Sequence, residues 1–225
     1  MTELAEATSP QTSGATLVIV PVGSIEQHGP HLPLETDTLI ARAVADRMAL
    51  ELGDAWVAPA VSYGSSGEHQ AFPGTCSIGT EALRLLVVEL VRSIRCWADR
   101  VVLVNAHGGN LTAVHEAVEQ LRAEGHDVTW VPCATEDVDL HAGHTETSLM
   151  LHLAPWSVRR HRAEAGNTRP LDEILPAMRT GGVAAVSANG VLGDPTGASA
   201  HHGARILEQI VGNALRALRE ERVAR

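Results

Sequence analysis

The strongest constraint on the fold is a repeated alternation. Short runs rich in Val and Ile are each followed by a segment with helical spacing. LVIVPVG (17–23) precedes TLIARAVADRMALEL (38–52), and WVAPAVSYG (56–64) precedes TEALRLLVVELVRSIRCWAD (80–99). VVLVNAHGGN (101–110) precedes LTAVHEAVEQLRAEG (111–125), and DVTWVPCA (127–134) precedes TETSLMLHLAP (145–155). Branched apolar residues fit a pleated, buried surface, and parallel strands need long crossovers, usually helical. The pattern predicts an α/β fold, a mainly parallel sheet flanked by helices. Thr80 is the expected N-cap of the second helix. A final amphipathic helix is expected over 205–225. The stretch 170–203, punctuated by Gly and Pro, reads as long loops around a site. Residues 1–15, rich in Ser, Thr, Ala and Glu, are expected to be a flexible tail. That leaves 16–225 as a single domain.

Composition narrows the chemistry. A chain of 225 residues with 44% hydrophobic content can bury one substantial core. The net charge of -10 leaves no basic footprint for nucleic acid. All 17 basic residues are Arg. The lack of Lys excludes a Schiff-base lysine, a lysine general base and a phosphate-loop lysine. Cys76, Cys96 and Cys133 are odd in number and scattered, which argues against a disulfide framework or thiolate zinc site. They are expected to be small buried hydrophobes. The opening residues lack a signal-peptide pattern and no apolar run could span a membrane, so a cytoplasmic location is expected.

Acidic and imidazole side chains gather just after predicted strands, where open α/β sheets bind ligands. GSIEQHGPHLPLETD (23–37) carries Glu26 and His28, which share one face of an extended segment, and Asp37. NAHGGN (105–110) carries His107 among glycines. HAGHTETS (141–148) carries His141, His144 and Glu146, with Thr145 and Ser148 or Glu146 available to cap a helix. Each segment alone reads equally well as a polar turn. Together they form a nitrogen and oxygen donor set suited to Zn, Mn or Fe and not to Ca. Glu26, Asp37, Glu146 and one bridging hydroxide would balance two divalent ions, which lowers the cost of burying them.

GSIEQHGPHLPLETD, GEHQAFPGT (67–75), NAHGGN, HAGHTETS and GVLGDPTGAS (190–199) together resemble the creatininase family of metal-dependent amidohydrolases. The resemblance runs from about Leu17 to the C-terminal helix. It implies one metal held by Glu26, Asp37 and His107 and another by His28, Asp37 and Glu146, with Asp37 bridging. It implies His141 as the catalytic proton donor to the leaving amine, and an amide-cleaving hydroxide shared by Zn, Fe(II) or Mn ions. Creatinine-hydrolysing members carry Glu where this chain has Gly109, which weakens a creatinine assignment. YGSSGEHQAFPGT, GHTETSLMLHLAP and MRTGGVAAVSANGVLGDPTGAS are similar to the mycofactocin-system branch of the family. That implies a modified precursor peptide as substrate, cut before its crosslinked C-terminal Val–Tyr unit. Glu68, His69, Phe72 and His144 are candidate substrate contacts, and Asp194 a turn residue at the rim. The family and the amphipathic last helix together imply a closed homo-oligomer. Rival readings are creatinine or formamidopyrimidine hydrolysis, a non-catalytic metal-containing scaffold, and two-metal phosphatase or nuclease chemistry.

Overall fold

The computed structural model describes residues 2–136 and 139–223. Its sheet has five parallel strands: β1 (Thr2–Glu3), β2 (Val18–Val22), β3 (Trp56–Val57), β4 (Val101–Asn105) and β5 (Val128–Pro132). They lie in the order β1-β3-β2-β4-β5. Val18 pairs with Val101 and Val22 with Asn105, so the two central strands end level. Alternating side chains serve opposite faces. Ile19, Val102 and Val104 join a core with α1 (Thr36–Leu52), α4 (His144–Leu153) and α6 (Ala200–Val223). Val18, Val20, Leu103 and Val101 join another with α2 (Thr80–Ile94) and α3 (Leu111–Ala123). The α/β expectation therefore holds, with helices on both faces. Among the described residues no helix is long and apolar enough to cross a membrane.

Several expectations change. Residues 2–15, expected as a flexible tail, start in the sheet: Thr2 and Glu3 pair with Trp56 and Val57. Glu3 forms an ion pair with Arg42, and Leu4 packs on the core, so this segment covers the sheet edge. The strand expected over 56–64 is only two residues long, because Pro59 lacks the N–H that a ladder needs. Pairing returns as a single bridge at Val61 to Val22. Part of 170–203 is a helix, α5 (Leu171–Gly181), which accommodates Pro176 inside it and buries only Ile174. Gly79, not Thr80, caps α2. Cys76 and Cys96 are exposed and Cys133 is half-buried. The apolar face of α6, read as a surface for assembly, is spent within the chain: Ile206, Ile210, Ala214 and Leu218 lie in its own core.

The strand order reverses direction at β2, with the crossover through α1 going one way and that through α2 the other. The crevice beyond the carboxyl ends of β2 and β4 is therefore a topological switch point. Every strand-end segment picked out in the sequence opens onto it.

Candidate metal centre and active site

Three helical N-termini aim at this crevice. Asp37 lies in the first turn of α1, Glu146 in the first turn of α4, and His107 precedes the single turn Gly108–Asn110 that leads into α3. Unpaired N–H groups and the helix dipole favour carboxylates at such positions. Glu26 and His28 descend from the loop after β2 and are fully buried. Asn110 ties the loops together. Its amide nitrogen donates to Gly23 O (3.0 Å) and Asn105 Oδ1 (3.1 Å), and its oxygen accepts from Ser65 N (2.8 Å).

His28 Nε2 lies 3.1 Å from Asp37 Oδ1 and 3.8 Å from Glu146 Oε2, while its Nδ1 meets Glu26 O at 3.1 Å. His107 Nε2 lies 3.1 Å from Glu26 Oε2 and its Nδ1 3.5 Å from Asp37 Oδ2. Ser24 Oγ donates to Glu26 Oε2 (2.7 Å). The Ala142 N–H donates to Glu146 Oε2 (2.6 Å) from a backbone at φ 54°, a left-handed conformation that an L-residue with a Cβ adopts at a cost. All five expected ligands thus meet at one place, with His141. Donor atoms lie within 4.8 Å of one another in three groups: Glu26, His28 and Asp37; His28, His141 and Glu146; and Glu26, His69 and His141.

The electrostatics of the cluster call for a cation. Burial, reinforced by repulsion from Asp37, pushes the Glu26 carboxyl up to about 7. Burial likewise pushes Glu146 to about 7. Burial opposes charge on His28 and His107, but the carboxylates outweigh it and raise these rings to about 10 and about 9. Burial also disfavours the Asp37 carboxylate; contact with His28 wins and holds its pKa below the usual value. Glu26 Oε1 and Asp37 Oδ2 are buried with no hydrogen-bond partner. Orphaned buried carboxylate oxygens are costly, and a divalent ion would satisfy both while displacing the protons from the imidazoles. The donor set therefore fits metal ions.

The remaining candidates divide. His69, expected only as a substrate contact, is 4% exposed and central, with Nε2 3.3 Å from Glu26 Oε1. Glu68 sits at the mouth, its side chain 31% exposed and Oε1 3.4 Å from His107 Nε2. Phe72 packs outside the cluster with Ile174, Val183 and Leu192. His144 turns away and its ring meets His202, with centroids 4.7 Å apart. Asp194 forms a turn, accepting from Thr196 N at 2.9 Å. Asp139, and not Thr145, Ser148 or Glu146, caps α4 by accepting from the N–H groups of His144 and Thr145. Gln27 had no assigned role, yet it is 5% exposed and touches two of the imidazoles. His31 was also missed; it is buried and meets Thr147 Oγ1 at 2.8 Å, behind Glu146.

The family model described as creatininase, creatinine amidohydrolase, matches residues 2–218. The chain belongs to the creatininase family. It is 55% identical to the mycofactocin precursor peptide peptidase of Mycobacterium tuberculosis, over 95% of this chain and 89% of that protein. It is 58% identical to the protein of the same name from Mycolicibacterium smegmatis, over 87% of this chain and 81% of that one. A solved creatininase structure designated Mn superposes with a TM-score of 0.81 at 29% identity, covering 97% of this chain and 98% of the other. Gly109, where the resemblance expects Glu in creatinine-hydrolysing members, has no room for a side chain. A Cβ there would come within 2.3 Å of Ser65 O and 2.5 Å of both Glu68 Oε1 and His107 Nε2.

Proposed function

We propose that this creatininase-family chain is a metal-dependent peptidase that hydrolyses a modified precursor peptide of the mycofactocin type, before its crosslinked C-terminal Val–Tyr unit. The observation that carries the reading is the buried cluster of Glu26, His28, Asp37, His107 and His141, with half-buried Glu146 beside it and two inward carboxylate oxygens lacking hydrogen-bond partners. It occurs in a chain more than half identical to relatives named for that peptidase activity. Glu26, Asp37 and His107 would hold one divalent ion, and His28, Asp37 and Glu146 a second. Zn, Fe(II) and Mn(II) all suit such nitrogen and oxygen donors. Two such ions would lower the pKa of a bound water and favour charge growing on an amide oxygen.

His141 handles the proton. Its Nε2 lies 2.8 Å from Gln27 O, which fixes the ring and leaves Nδ1 facing Glu26 and Glu146 at 3.7 and 4.0 Å. Burial, with the neighbouring His28 and His69, holds its pKa well below the ordinary value, so the ring is neutral at working pH. A bare, oriented Nδ1 accepts the proton of an attacking water and passes it to the leaving amine.

A groove of about 560 Å³ opens over the N-terminal turn of α4, lined by Leu140, His144, Asn167, Arg169, Leu171 and Asp194. Its mix of apolar, imidazole and guanidinium groups suits a peptide better than a small ring. Glu68, with its side chain 31% exposed, and His144, which lines the groove, are the candidate peptide contacts in this reading. Assembly into a homo-oligomer is also part of this reading, on the family resemblance alone. The family description favours creatinine hydrolysis as the second reading. Parallel incubation of metal-loaded protein with the modified peptide and with creatinine, read by mass spectrometry, tests the choice. Cleaved peptide with unchanged creatinine is the expected result. Intact peptide with creatinine consumed would reverse it.

A further inference from the structure

Gln27 lies in sequence between two of the expected metal ligands, and its side chain threads between two imidazoles whose centroids are 4.5 Å apart, those of His69 and His141. The Gly29 N–H donates to Gln27 Oε1 at 2.9 Å, which fixes which end of the amide is nitrogen. Gln27 Nε2 then has two protons and three neighbours: His69 Nδ1 at 2.8 Å, His141 Nε2 at 3.0 Å and Gly190 O at 3.0 Å. His141 Nε2 also lies 2.8 Å from Gln27 O, which can only accept. One partition avoids two acceptors facing each other at that distance. The amide protons go to His69 Nδ1 and Gly190 O, and His141 donates its own Nε2–H to Gln27 O. Gly190 is required for this arrangement. It sits at φ +80°, and a Cβ there would come 1.9 Å from Gln27 Oε1.

The consequence concerns which ring atoms face the cluster. His69 uses Nδ1 as an acceptor, so its proton is on Nε2, which lies 3.3 Å from Glu26 Oε1 without a hydrogen bond to it. That ring is a hydrogen-bond donor and cannot also be a metal ligand through Nε2. His141 uses Nε2 as a donor, so its inward atom is a bare Nδ1.

We propose that Gln27 is a positioning residue that makes its two neighbouring imidazoles work from opposite ring atoms. His69 presents an Nε2–H to the substrate carbonyl oxygen, and His141 presents an Nδ1 lone pair to the attacking water. The proposal rests on the hydrolase reading above. A fixed N–H donor aimed at an oxygen that gains charge is worth about 10²-fold in rate.

The test uses Zn-loaded protein labelled with ¹⁵N-histidine. Imidazole nitrogen NMR should show His69 with Nε2 protonated and Nδ1 bare. In Gln27→Glu the side chain loses its N–H donors and becomes an acceptor, so His69 must turn its proton to Nδ1. The expected result is a switched His69 signature, retained metal content, and kcat on the modified peptide lower by about 10²-fold with KM little changed. Gln27→Met, which removes the donor without adding an acceptor, should give a mixed signature and a smaller loss. A wild-type His69 protonated on Nδ1 overturns the proposal, as does a Gln27→Glu protein with unchanged kcat. Should Gln27→Glu fail to fold, the wild-type spectrum decides. Should the wild type cleave no peptide, the hydrolase reading falls, and the protonated atom of His69 still decides the Gln27 assignment.

Discussion

The cluster has two halves with opposite electrostatics. In the first, His28 and His107 are raised to about 10 and about 9 by Asp37 and Glu26, and two carboxylate oxygens have no partner. In the second, His69 is lowered to about 4 and His141 falls well below its ordinary value, chiefly by burial, and both rings are keyed to Gln27. Comparably buried imidazoles thus end on opposite sides of neutrality: for His28 and His107 close carboxylates outweigh burial, while for His69 and His141 burial, reinforced by the neighbouring imidazoles, prevails. The first half is incomplete without a cation. The second is hydrogen-bonded through Gln27 as it stands.

The most severe way to break the contrast is Asp37→Ala. Asp37 lies close to both raised imidazoles, at 3.1 Å from His28 and 3.5 Å from His107. Both ions should be lost, with at least ~10³-fold lower peptide hydrolysis. Metal analysis of the purified variant checks it, and two retained equivalents would end the shared-ligand assignment.

His141→Ala attacks the other half. Metal content should stay at the wild-type level while kcat falls by about 10²- to 10⁴-fold, the usual worth of a positioned acid–base group. An enzyme that instead loses metal would place His141 among the ligands, alongside Glu26 or Glu146.

The smallest effect is on the stability of metal-free protein. Glu26 and Glu146 at about 7, and His28 and His107 at about 10 and 9, all lie above their ordinary values of 4.5 and 6.5. Each therefore binds its proton more tightly in the folded chain. Their contribution is fully present below those ordinary values and is lost as pH rises through about 7 to about 10. Asp37, shifted down, loses its contribution as pH falls instead. Chelated protein should melt on the order of 5 °C lower at pH 9 than at pH 6. Metal-loaded protein should change much less, because the ions replace the protons. Calorimetry at both pH values checks this; a chelated protein that gains stability with pH contradicts it.

Much of this was legible in the sequence, for a local reason. Strands and helices announced themselves through branched apolar runs and helical spacing, and the ligands stood beside glycines at strand ends. What was not legible depends on distant contacts. Gln27 gains its role from His141, 114 positions away, and His31 from Thr147, 116 away. His69 read as a candidate substrate contact, and only the fold brings it to Glu26. The helix α5 was hidden by Pro176 inside it and by the glycines at its end, although Leu171, Ile174, Leu175 and Met178 recur at helical spacing. The N-terminal residues looked loose by composition, yet a sheet edge offered them backbone partners.

Titration of a single divalent metal into chelated wild-type protein, with cleavage of the modified peptide followed at each step, tests the central claim most directly. The account predicts no cleavage without metal and a rate that saturates at two equivalents per chain. Full activity in the chelated protein, or saturation with peptide left intact, would contradict it.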